Sequence, residues 1–261
     1  MIVDVIVLSK TTSDLETMTR QCIASLRGSE PGHQFNVILV ESMPERVDVG
    51  QDETILWGNK PFNYNAAMNL GLKRVSSDWV VMANNDLIFH PGWFTEICKV
   101  HDKYPDIESF SSWTYYRRWH ERFFQDENAL GVRTVIAEDA LDRVRSAVAA
   151  VGYISIGELA GWCLTVRGGL LSKITLHEYV DFYYSDRVYA DELLRIGMRH
   201  ALVVNSRVDH LAHVTLDKEP GIRGLINEGQ EPKYRAAISE EVEDRWQRYL
   251  ERRARGPELL Y

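Results

Sequence analysis

Asp86, Asp186, His210 and His213 of this 261-residue sequence are of the kinds that hold a divalent cation or move a proton. A metal-dependent enzyme acting at phosphate groups, whether a phosphoester hydrolase or a nucleotidyltransferase, would use such a set. Asp86 has the most telling place. It follows Trp79 to Ala83, an apolar run that reads as a buried strand, and it closes the triplet Asn84-Asn85-Asp86. Open α/β sheets place their ligands in the crevice beyond the carboxyl ends of the strands, so a carboxylate there is a ligand-binding candidate. The plain alternative is a turn, which Asn and Asp also favour.

The elements that must position these groups are legible on both sides. Ile2 to Leu8 is rich in Val and Ile, as expected of a strand buried on both faces, and polar Ser9-Lys10-Thr11-Thr12 follows it. Ser13-Asp14-Leu15-Glu16 predicts a capping box opening a helix, whose apolar face is Leu15, Met18, Cys22 and Leu26. Asn36 to Val40 predicts a second strand, ending at Glu41, and Thr54 to Trp57 a third. No G-x-G-x-x-G stands at the first strand-to-helix turn, which weakens a dinucleotide-binding reading. A helix is predicted from Trp93 to Val100. Another runs from Arg187 to Ile196 and stops at Gly197, with a strand over Ala201 to Val204 after it.

Whole-chain properties narrow the classes. Apolar residues make up 45% and charged residues 26%, values of an ordinary globular protein. A formal net charge of -8 excludes a molecule built throughout for nucleic acid or an anionic membrane. Cys22, Cys98 and Cys163 are odd in number and lack a C-x-x-C pair, so neither a disulfide framework nor a zinc knuckle is suggested. The N-terminus has no basic segment before its short apolar run, and no stretch reaches the ~18 apolar residues of a membrane span; the expected location is the cytoplasm.

The stretch from Pro61 to Phe89 resembles the nucleotide-sugar glycosyltransferases of the GT-A fold, family 2 in type. The matching motifs are Ala67-Met68-Asn69-Leu70-Gly71 on a helix, then Asn84-Asn85-Asp86 where that family has its metal-binding triplet, then Asp86 to Trp93 with Pro91 between. The first acid of the triplet is an Asn here. One carboxylate can still hold a hard cation together with donor phosphates and water. The resemblance implies an α/β GT-A fold, a mostly parallel sheet flanked by helices with a C-terminal helical appendage. It also implies a nucleoside-diphosphate sugar donor, UDP-linked, and Mn²⁺ or Mg²⁺. Ser9, Thr11, Glu41, Asn65, Asn69, Asn84 and Asn85 become donor-binding candidates, and Asp86 and His210 metal ligands, with His213 the alternative to His210.

Glu158 to Arg167 resembles the turn and strand that face the acceptor in that family, making Gly161 and Trp162 acceptor-binding candidates. Gly161 allows close backbone approach, and the Trp162 ring offers either a sugar platform or a core side chain. The segment Asp181 to Gly197 resembles the family's catalytic-base segment. Five helical residues turn the chain through about 500°, so Asp186 and Asp191 lie about 140° apart and only one can face a site. Asp186, at the mouth of the helix, is the expected base, with a helix cap as its alternative role. Trp113 to Phe124 holds aromatics and arginines that either line the acceptor groove or form a core-facing helix. A glycan or small molecule is the expected acceptor, with nucleic acid the alternative because this stretch is locally basic.

The expected organisation is a GT-A domain over 1–214, with a donor half to residue 100 and an acceptor half beyond it. Residues 125–152 read as mostly helical. A polar loop and an amphipathic helix over 239–255, either a lid on the domain or a surface for self-association, complete the chain. The expected activity is metal-dependent, inverting transfer of a sugar to an acceptor hydroxyl. A metal-dependent phosphoester hydrolase and a silent nucleotide- or glycan-binding module are the other readings.

Overall fold

A computed structural model describes residues 1–58, 60–116, 119–124, 140–154, 157–182, 184–211, 232–234, 236, 251 and 256–261. The chain runs β1 (Ile2–Ser9), α1 (Glu16–Ser29), β2 (Gln34–Glu41), β3 (Glu53–Leu56), α2 (Tyr64–Leu72), β4 (Trp79–Asn84), β5 (Leu87–Phe89), α3 (Trp93–Lys103) and β6 (Ile107–Trp113). It continues through α4 (Trp119–Phe124), α5 (Ala140–Ser146), β7 (Ala149–Val151), β8 (Cys163–Arg167), α6 (Gly168–Leu171), α7 (Ser185–Arg195), β9 (Arg199–His210) and β10 (Glu258–Leu260).

The strands form one mixed sheet in the order β10-β7-β9-β6-β8-β4-β1-β2-β3, with β5 pairing the far end of β9. The quartet β4-β1-β2-β3 is parallel, and along the whole path only β8 and β7 run against the rest. Alternation along β1 builds two cores. Val3, Val5 and Val7 join Ile23 and Leu26 of α1 and Trp93, Phe94 and Ile97 of α3 on one face. Ile6 and Leu8 join Ala67 and Met68 of α2 and Tyr189 and Leu193 of α7 on the other. Each such aliphatic side chain taken fully out of water stabilises the fold by roughly 1.5–3 kcal/mol before entropy is counted. Gly71 lets α2 lie directly on β1, because a Cβ there would fall 2.4 Å from Ile6 Cγ2.

Helix starts are satisfied in different ways. Asn63 caps α2, its Oδ1 accepting from the Ala66 amide at 2.9 Å. The start of α3 is capped from outside: the buried Glu30 carboxylate accepts from the amides of Phe94 and Thr95 at 2.7 and 2.9 Å, and from the Thr95 hydroxyl at 2.9 Å. The capping box expected at Ser13 does not form. The Thr12 carbonyl accepts from the amides of Leu15 and Glu16, which delays α1 to Glu16, and the Glu16 carboxylate reaches Arg20 instead.

The stripe of Leu15, Met18, Cys22 and Leu26 is buried as expected. The strand after Gly197 is longer than expected, reaching His210, and Gly197 ends α7 at φ +67°. The apolar run 147–151, expected as helix, ends in strand β7, because Ala149, Ala150 and Val151 fill the gap between β9 and β10. Residues 125–139 and His213 lie outside the described residues, as does the helix expected over 239–255 apart from residue 251. No described helix is long and apolar enough to cross a membrane.

Candidate active site

The carboxyl ends of β1, β2 and β4 meet in one crevice, and Ser9, Thr11, Glu41, Asn84, Asn85 and Asp86 all stand there. Two sub-networks hold it. Glu41 is fully buried and accepts from the amide and hydroxyl of Thr11, at 3.1 and 2.7 Å, and from the Met43 amide at 2.7 Å. The Asn85 amide reaches the hydroxyls of Thr19 and Ser9 at 3.0 and 3.4 Å. Asn65 and Asn69 are drawn elsewhere. Four residues apart on α2, they share the helix face that runs along segment 176–178, and their amides donate to the carbonyls of His177 and Leu176 and to the Glu178 carboxylate.

Strand pairing then brings Asp86 to His210. Because β5 starts directly after Asp86 and pairs with the end of β9, Leu87 lies opposite His210, and the Leu211 amide donates to the Asp86 carbonyl at 2.9 Å. The side chains follow: Asp86 Oδ1 lies 3.3 Å from His210 Nε2. Among the described residues that buried carboxylate oxygen has no hydrogen-bond partner, which ordinary folded structure seldom leaves. Trp162 backs the pair, its ring parallel to His210 (13° between planes, centroids 4.9 Å apart). With only 7% of its surface exposed, Trp162 is not an open platform for a sugar ring.

Beside His210, Asp209 accepts from His90, Arg207 and the Tyr115 amide. Burial alone would raise its pKa, and those bonds outweigh burial and lower it. Among the described residues no three His, Cys, Asp or Glu side chains cluster as a closed metal site.

Across the crevice stands Asp186, in the first turn of α7. The helix begins at Ser185 with Tyr184 as its cap residue, and Asp186, in the first turn, accepts the Arg187 amide through Oδ1 at 2.9 Å, so it satisfies a free helix-end amide without being the N-cap residue itself. Asp191 lies on another part of the helix and accepts the Tyr234 hydroxyl at 2.7 Å. Gly161 is the neighbour of Asp186 in the facing turn.

Tyr64 was not singled out from sequence, yet it joins the two sides. Its hydroxyl lies 3.3 Å from both Asn84 Oδ1 and the Gly161 carbonyl. Burial, with Asp186, Cys163 and Asp86 adding to it, holds that hydroxyl well above the usual tyrosine range, so it stays a donor. From sequence Tyr64 has only the signal of an aromatic in the first turn of a helix, which also describes a core residue.

A mostly parallel sheet carrying this crevice beyond its strand ends is the GT-A architecture. The S. aureus protein TarS (residues 1–349) superposes with TM-score 0.52 at 13% identity, over 80% of this chain and 59% of that one. Mannosyltransferase PcManGT from Pyrobaculum calidifontis, solved with GDP-Man and Mn²⁺, gives TM-score 0.52 at 13% identity over 79% and 56%. A structure of TarS with UDP gives 0.52 at 12%. The chain thus spans under two thirds of the length of these proteins. No curated protein sequence matches it. Residues 5–143 match glycosyl transferase family 2, and the chain belongs to that family.

Proposed function

We propose that this enzyme transfers a sugar from a nucleoside diphosphate, UDP, to an acceptor hydroxyl with inversion at the anomeric carbon. The observation that carries the reading is the buried Asp86 oxygen, 3.3 Å from His210 Nε2 and without a hydrogen bond among the described residues, on one wall of a crevice whose other wall presents Asp186. The pair fits one hard divalent cation, Mn²⁺ or Mg²⁺, with donor phosphates and water completing the coordination. When bound, such an ion offsets the charge that develops on the leaving diphosphate. The ligands named for the superposing structures, UDP and GDP-Man with Mn²⁺, support this donor class.

The remaining work falls to the protein. Asp186 removes the proton of the acceptor hydroxyl as that oxygen attacks the anomeric carbon, and the bond from that carbon to the diphosphate breaks. The Gly161 turn lets the acceptor approach Asp186, and the buried Trp162 ring holds the His210 imidazole in plane. Tyr64 fixes the distance between Asn84 and the Gly161 carbonyl, and so between donor and acceptor walls. Ser9, Thr11, Glu41 and Asn85 shape the nucleoside end.

The test is a thermal-shift screen of UDP, GDP and their sugars with and without Mn²⁺, followed by product analysis. Stabilisation by UDP-sugars that requires metal supports the proposal. Stabilisation by no nucleotide under any metal condition overturns it.

A further inference from the structure

A buried polar chain crosses the sheet behind the crevice. Tyr189 of α7, Ser109 and Ser111 of β6 and His200 of β9 are each at most 1% exposed. The Tyr189 hydroxyl lies 2.7 Å from Ser109 Oγ, and that oxygen lies 2.8 Å from His200 Nδ1. On the other side of the ring, Nε2 lies 3.0 Å from Ser111 Oγ and 3.2 Å from the Glu158 carbonyl.

The carbonyl sets the direction of the whole chain, because it can only accept. Nε2 therefore carries the ring proton, Nδ1 accepts from the Ser109 hydroxyl, and the Ser109 oxygen in turn accepts from Tyr189. Ser111 Oγ also accepts the Ala160 amide at 2.8 Å. Burial keeps the imidazole neutral, with its pKa down to about 3.

Such a buried hydrogen-bonded network in a low-dielectric core favours one arrangement over its neighbours. Its two ends are informative. Tyr189 sits three residues after Asp186 on α7, and Glu158 and Ala160 lead straight into Gly161. The start of α7 also needs external support, since Tyr184 holds φ at +71°, a strained backbone that persists only where its surroundings fix it.

We infer that Tyr189, Ser109 and His200 form a positioning relay that fixes the turn carrying Asp186 against the Gly161 turn. The inference rests on the reading of Asp186 as the base. None of the three is a catalytic residue.

Two variants test it, each checked for folding by circular dichroism and melting. Tyr189→Phe removes one hydroxyl and keeps the ring, and His200→Leu breaks the centre. In both, metal-dependent stabilisation by UDP stays at the wild-type level, kcat falls about tenfold or more, and the acceptor KM rises, since small misplacements of a reacting pair are costly. Hydrogen–deuterium exchange of the peptide covering 158–162 quickens in both.

A folded Tyr189→Phe protein with wild-type kcat, KM and exchange overturns the relay, as does a lower melting temperature with turnover per folded molecule unchanged. If the wild type transfers no sugar but both variants loosen 158–162, the positioning stands and the assignment of the base falls. If the wild type transfers no sugar and exchange is unaltered, the relay falls too.

Discussion

Gly161 and Asp186 stand so close that no side chain fits between them: a Cβ on Gly161 would lie 2.7 Å from the Asp186 Cβ. That contact is backbone-determined on both sides, so Gly161→Ala must push the Asp186 turn away. The expected outcome is a loss of turnover of about 10- to 100-fold with donor binding retained, read by initial rates and by UDP thermal shift.

Asp186→Asn removes the proposed base but keeps a side-chain oxygen that can accept the Arg187 amide, as Asp186 Oδ1 does at 2.9 Å. It should fold and bind donor normally while turnover drops about 10²-fold or more. Asp191→Asn, whose amide oxygen can still accept the Tyr234 hydroxyl, should keep its turnover. The reverse pattern would move the base to Asp191.

Removing the carboxylate proposed to face the metal is a separate measurement. At ligand near 100 times Kd, a bound nucleotide stabilises a protein by about 2.7 kcal/mol. Asp86→Ala should lose the part of that gain that depends on Mn²⁺, and His210→Ala should reduce it. An Asp86→Ala protein with undiminished metal dependence would sink the assignment.

Two buried neutral histidines make stability fall in mild acid. Burial lowers the pKa of both His120 and His200 to about 3. The unfolded chain takes up these protons near pH 6.5 while the folded chain refuses them until about pH 3, so stability is complete above that range and declines through it. The loss is about 2 kcal/mol per histidine at pH 5. Urea unfolding at pH 7 and pH 5 checks this, and His120→Phe should flatten the profile.

The cap on α3 is a purely structural prediction. Glu30→Ala leaves two amides and a hydroxyl without their charged acceptor, and should cost about 2 kcal/mol with kcat per folded molecule unchanged.

Much of the donor half was legible because its physics is local. Apolar runs followed by polar residues announce strand ends, and that rule alone put Asp86 in the crevice. The acceptor half resisted for a physical reason. Strand β6 reads Ile-Glu-Ser-Phe-Ser-Ser-Trp, and its buried serines are tolerated only because His200, Tyr189 and Ser206 satisfy them. Those partners are remote in sequence. The same remoteness hid Tyr64, whose role appears once β8 brings Gly161 alongside, and it misdirected Asn65 and Asn69, whose amides serve a distant loop.

The β5–β9 pairing has a consequence for how the enzyme is made. During synthesis the ribosome releases β1 to β4 early, while α3, β8 and α7, which complete the two cores, come later. Asp86 then waits for His210 until β9 has emerged and closed against β5. A growing chain therefore has no assembled Asp86–His210 pair until β9 is made, and a truncated product ending before β9 would lack that contact.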